Sequence, residues 1–164
     1  MQSNSFIPRS TRNRIAMLMG FISLGLFITW NCLPIDILYG TKRQTMAAVF
    51  WPNIYKNLIS IGTLHLGFHE ILVAMAYVLL ILLALISFSL LPAWKLWQAS
   101  ALLRLIPASM MLIGFGVFIY FVTTGVEMTR SVMAIHLCIS LNFFTAALAL
   151  LLFQNESLDA PHAT

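Results

Sequence analysis

In the stretch "TLHLGFHEILVAMAYVLLILL", residues 63–83, two imidazoles stand four residues apart and a carboxylate follows the second. Residues at that spacing share one face of a helix, so His65 and His69 can reach one metal ion or share one proton. Glu70 lies about 100° further round the helix. Glu127 and His136 flank the start of a later apolar segment, with Arg130 between them, and Asp36 follows the first such segment. His65, His69, Glu70, Glu127 and His136 form the candidate polar cluster if these segments end at one level. Such a set fits a metal held by imidazoles and a carboxylate, a proton relay, or ligation of a b-type haem by His69 and His136. The competing reading is structural: these groups rim a bundle at headgroup level. There the cost of an intramembrane charge, about 2.5–3.5 kcal/mol at the bilayer centre, falls away. The rim is the reading adopted, with no cofactor expected and no metal assigned.

Hydrolytic chemistry has little support. HxxxHE is not HExxH, because Leu66 occupies the place of the general-base glutamate after the first histidine. The chain has no GxSxG elbow and no glycine-rich phosphate loop, so no catalytic residues are assigned and an enzyme is not expected.

The elements that must position these residues follow from composition. Of the 164 residues, 60% are hydrophobic and only 9% charged, and the mean hydropathy is +0.92. A soluble domain carries roughly 25% charged residues, so lipid must be the solvent for most of this chain. Crossing a hydrocarbon core of about 30 Å takes about 20 apolar residues in a helix. Four segments reach that length, at about 15–34, 66–91, 108–126 and 131–153. None alternates with the period of two that a barrel strand needs. Helices satisfy their own backbone groups in lipid, so the expected fold is all-α, an integral membrane four-helix bundle. Residues 1–14 form a basic N-terminal stretch and residues 154–164 a short polar tail, expected to be disordered.

Net charge is +4, and the basic residues flank the apolar segments, so they read as topology signals rather than as a nucleic-acid surface. Arg9, Arg12, Arg14, Lys95 and Arg104 fall on one side of the expected bundle, and Lys42, Arg43, Lys56 and Arg130 on the other. The arginines before the first span place both termini in the cytoplasm of a bacterial inner membrane. The first span is too long for a signal-peptide core and lacks an A-x-A-like site, so it reads as uncleaved. Trp94 and Trp97 around Lys95 form an aromatic and basic anchor. Residues 44–60 read as an interfacial helix, with Phe50, Trp51 and Tyr55 dipping inward and Pro52 ending or kinking it. Cys32 and Cys138 have no CxxC spacing and are expected to be small core residues. In the last span Ser140, Asn142 and Thr145 are expected to bond neighbouring helices. Gly20, Gly25, Gly114 and Gly116 would allow helices to approach closely.

The punctuation of the spans resembles the membrane domain of the paraquat-inducible protein A family, also called LetA-like. "NCLP" (Asn31–Pro34) matches the N-x-L-P turn ending that family's first span, "PAWKL" matches P-x-x-K-L, and Ser109–Met110 match part of its W-S-M motif. Ala108 stands where the family has tryptophan, and the zinc-ribbon cysteines of larger members are missing, so no zinc is implied. The resemblance covers about residues 15–153, one repeat. It implies an inner-membrane, non-enzymatic component of lipid trafficking with MCE-type partners, and a role for Lys95 at a lipid phosphate; the plain alternative for Lys95 is a positive-inside anchor. The expected partners are membrane lipids and other membrane or periplasmic proteins, with no nucleic acid. Two other classes stay open: a b-haem- or metal-binding subunit of a respiratory complex, and a small membrane immunity or regulatory protein.

Overall fold

A computed structural model describes residues 9–35, 44–52, 68–124 and 130–153; for residues 9, 35, 68–70, 130 and 131 it describes the backbone alone. The fold is all-α. Its long elements are α1 (Arg9–Cys32), α3 (Phe68–Ser89), α5 (Ala101–Thr124) and α6 (Arg130–Leu152). Each has 22 to 24 residues, about 33–36 Å at about 1.5 Å per residue. All four are long and apolar enough to cross a membrane.

The distribution of polarity agrees with lipid as solvent. Phe21, Leu85, Leu102 and Ile106 are each at least 60% exposed, while Ser23, Ser87, Ser140 and Asn142 are fully buried. In water such a surface would be one continuous sticky patch. In a bilayer it is the contact with acyl chains, and buried polar groups bond one another because lipid offers them nothing. The chain is a multi-pass membrane protein.

The shorter elements serve the ends of the bundle. After α1, Pro34–Ile35 (β1) pairs antiparallel with Gln44–Thr45 (β2), which returns the chain to the end of α1. A helical segment over residues 46–52 (α2) follows. Thr45 Oγ1 accepts from the Ala48 amide at 3.3 Å, an N-cap bond that starts this helix. Phe50 is buried and Trp51 half-buried, as the sequence predicts; Tyr55 lies outside the described residues. Pro52 sits within the last described turn of α2. At the other end α3 closes at Ser89, the turn through Pro92 reverses the chain, and α4 (Trp94–Ala99) leads into α5.

Neighbouring long helices run antiparallel. Gly20 lies beside Leu90 and Leu91 while Ser23 meets Ser87, and Phe115 faces Phe144 while Phe121 faces His136. One end of the bundle therefore carries the start of α1, α4 and the start of α5, and is called here the arginine end. The other, with α2, the start of α3 and His136, is the histidine end. Helix α6 is the centre, packed along both α1 and α5, whereas α3 touches the others sparingly. Composition explains the difference. Ala146, Ala147 and Ala149 are fully buried on α6 and let backbones approach, while α3 presents leucines and isoleucines that hold neighbours further off.

Two expectations about these elements are corrected. The third span starts at Ala101, not Ala108, and Pro107 is inside the helix; a proline's missing N–H is tolerated within membrane helices, where it need not mark a boundary. Cys32 is exposed and Cys138 half-buried, both as free thiols, so Cys32 is not a core residue.

Candidate functional site

Three polar constellations punctuate the bundle. At the histidine end, His136 sits in the second turn of α6 among Phe118 and Phe121, with ring centroids 5.6 and 6.4 Å away. Its Nδ1 lies 2.8 Å from the Val132 carbonyl. That oxygen can only accept, so Nδ1 carries a proton and a neutral ring leaves Nε2 as the acceptor or ligand atom. The ring borders a cavity of about 270 Å³ walled by Met46, Phe50, Tyr77, Phe118 and Phe121. Phe50 and Tyr77 stack at 5.3 Å across it.

Of the predicted cluster, His136 alone has a described side chain. His65 and Glu127 lie outside the described residues, as does Asp36, while His69 and Glu70 lie in the first turn of α3 with only their backbone described. Among the described residues no three His, Cys, Asp or Glu side chains gather closely enough to hold a metal.

The second constellation lies at mid-bundle. Asn142, fully buried on α6, meets Ser23 of α1 and Ser87 of α3. Two orientations of its amide fit the space. In one, Oδ1 accepts from Ser23 Oγ at 2.7 Å. In the other, Oδ1 accepts from Trp30 Nε1 at 3.2 Å while the amide nitrogen donates to the Ser23 carbonyl at 2.9 Å and Oγ at 2.7 Å. The second satisfies the fully buried indole as well, and it is the orientation adopted here. Ser23 and Ser87 complete the clasp at 3.2 Å. Three helices are thus tied at one level by bonds that lipid cannot replace. Asn142 behaves as its residue type predicts, but its companions do not. The Ser140 and Thr145 hydroxyls bond carbonyls of their own helix, and the partners come from Ser23, Ser87 and Trp30. A smaller link of the same kind joins α2 to α1, where Trp51 Nε1 donates to Asn31 Oδ1 at 2.6 Å.

No family model, curated protein or solved structure matches this chain.

The third constellation is at the arginine end. Lys95 is exposed, its Nζ 5.9 Å from the centroid of the Trp94 ring, a cation–π distance. Trp97 Nε1 donates to the Ser89 carbonyl at 3.2 Å, holding α4 against the end of α3. Beneath this belt Gln98 is buried, and neither its Nε2 nor the Nε of Arg104 has a hydrogen-bond partner among the described residues.

Between these levels the seam of α3 and α5 is open. One cleft of about 390 Å³ runs between Met75, Val78 and Leu82 on α3 and Met110 and Ile113 on α5. Another of about 320 Å³ lies between Leu72 and Ile113, Gly116 and Tyr120. The two glycines of α5 differ sharply here. A Cβ on Gly114 would stand 2.4–2.7 Å from Phe143 ring atoms, whereas one on Gly116 would meet nothing within 4 Å. Gly114 thus permits the α5–α6 contact, and Gly116 leaves space in the cleft. Gly25 likewise faces open space, and a Cβ added to Gly20 would stand 3.3 Å from Leu91 Cδ2. The expectation of close approach therefore holds at Gly114 and Gly20 and is corrected at the other two.

Proposed function

We propose that this chain is a non-enzymatic, lipid-handling component of a membrane assembly in a bacterial inner membrane, with both termini cytoplasmic. In this reading it resembles one LetA-like repeat working with MCE-type periplasmic partners. The supporting observation is the open α3–α5 seam. It is apolar, widened by Gly116, and flanked by a helix tied to the bundle chiefly at mid-level through Ser87. An apolar cleft open to the bilayer interior takes an acyl chain, since that is the only solvent there. A helix held at one level by polar bonds and elsewhere by sparse packing can shift to admit it.

The test is to fill the space. A phospholipid with a photoreactive acyl chain should label peptides containing Met110, Ile113 and Tyr120 in the wild type. Gly116→Phe should lower that labelling severalfold with the thermal midpoint retained, because the new ring enters open space. Labelling spread evenly over the exposed faces around Phe21 and Leu85, and unchanged in Gly116→Phe, would remove the cleft from the proposal.

A further inference from the structure

The cavity at the histidine end differs from the α3–α5 seam in what walls it. The seam is lined mainly by leucine, isoleucine, valine and methionine. The cavity, of about 270 Å³, is bounded by the rings of Phe50 on α2, Tyr77 on α3, Phe118 and Phe121 on α5, and by the imidazole of His136 on α6. An acyl chain packs as well on leucine as on phenylalanine and has no reason to prefer this space. A flat ring does, because offset-stacked and edge-to-face ring pairs attract beyond the area they bury. Size agrees. A cavity of about 150 Å³ takes benzene, so about 270 Å³ takes a substituted ring or a fused pair.

His136 says what the ring must carry. Its Nδ1 donates to the Val132 carbonyl at 2.8 Å, which leaves Nε2, at the tip of the side chain, as an acceptor while the ring is neutral. Nε2 has no hydrogen-bond partner among the described residues, and unlike the Gln98 and Arg104 nitrogens it is not sealed inside the protein. It is open to a guest, and that guest must donate. A ring hydroxyl can; a ring carbonyl, which only accepts, cannot. Depth adds a second constraint. His136 stands about 9 Å into α6 at about 1.5 Å per residue, a shallow level in a helix of 23 residues. Toward mid-bundle the cavity walls turn aliphatic at Leu80 and Ile139, which suits an apolar tail. A hydroxylated ring with an apolar tail below it is a membrane quinol. We propose that this cavity binds the ring of a membrane-dissolved quinol, its hydroxyl donating to His136 Nε2, and that it selects the quinol over the corresponding quinone. The site is separate from the α3–α5 seam and does not depend on the lipid-handling reading.

Full-length protein in detergent micelles would be titrated with a decyl-substituted naphthoquinol and with its quinone, in anaerobic, mildly alkaline buffer that keeps the imidazole neutral and the quinol reduced. Bound ligand is read by native mass spectrometry and stabilisation by thermal shift. The wild type should bind the quinol about three- to tenfold more tightly than the quinone, the range that one hydrogen bond supplies. His136→Phe keeps a flat ring in the wall without an acceptor. It should weaken the quinol, leave the quinone unchanged and so abolish the preference. Ala76→Phe brings a ring into the cavity from α3 and should weaken both forms severalfold. Should either variant lose its unliganded thermal midpoint, the wild-type ratio decides alone. Equal wild-type affinity for quinol and quinone, or a preference retained in His136→Phe, would overturn the site. A tail-less, water-soluble hydroquinone binding as tightly would overturn the assignment to a membrane quinol, and a phospholipid displacing the quinol at equal concentration would give the cavity to an acyl chain. Gly116→Phe, at the seam, should leave the quinol preference intact, so the two proposals fail separately.

Discussion

Gly114→Ala is expected to destabilise the protein by about 1–3 kcal/mol, the usual cost of forcing extra volume into a packed contact, with Gly114→Leu costing more. The new Cβ would fall within 2.4–2.7 Å of the Phe143 ring. That ring is fully buried and packed against Phe118 at 5.5 Å, so it has nowhere to turn and α5 must move off α6. Because α5–α6 is one of the two main helix contacts, the loss should appear as a lower thermal midpoint in detergent and a broader elution profile. Phe143→Leu in the same chain should recover much of the loss by shortening the obstacle. If Gly114→Ala proves as stable as the wild type while Phe143 stays buried, the close approach described for these helices is wrong.

Asn142→Leu is the second large effect. The substitution keeps the volume but strands the Trp30 indole N–H and breaks the tie to Ser23 and Ser87. Interhelical bonds in membranes contribute about 0.6–2 kcal/mol each, and a buried unsatisfied donor costs about 1–3 kcal/mol. A loss of about 2–3 kcal/mol is expected, measured by reversible unfolding in mixed micelles. Thr145→Val, on the next turn of the same helix, should change stability by no more than about 0.5 kcal/mol, because its hydroxyl bonds carbonyls within α6. A cycle combining Asn142→Leu with Ser87→Ala should show coupling, since both remove the same clasp. Additive effects would mean that α3 is held by packing alone.

These two positions also show how far the sequence could be read. Helix content and the approximate spans followed from hydropathy, because a run of about 20 apolar residues has few other structures open to it in lipid. Pro107 sits inside the third long helix, since the rule that proline ends helices weakens where neighbouring helices support the backbone. Asn142 was legible by residue type. Its partners were not, because Ser23 and Ser87 look like any serine in an apolar run until helix order and rotation are known. Gly114 and Gly116 likewise carry the same letter two residues apart, and only packing separates the one that meets Phe143 from the one that opens the cleft. At the histidine end, placing His136 near the start of α6 needed only register, but the aromatic cavity around it is assembled from α2, α3 and α5 and has no local signature. The burial of Gln98 and of the Arg104 Nε has no local signature either, because it is a tertiary property.

Everything rests on four crossings that put α4 and α2 on opposite faces of the membrane. In a background lacking Cys32 and Cys138, single cysteines at Lys95 and at Gln44, both exposed at the ends of the bundle, would be probed with a membrane-impermeant maleimide in intact spheroplasts. Gln44→Cys should label directly and Lys95→Cys only after permeabilisation. Labelling of both positions from the same side would contradict the four-crossing bundle.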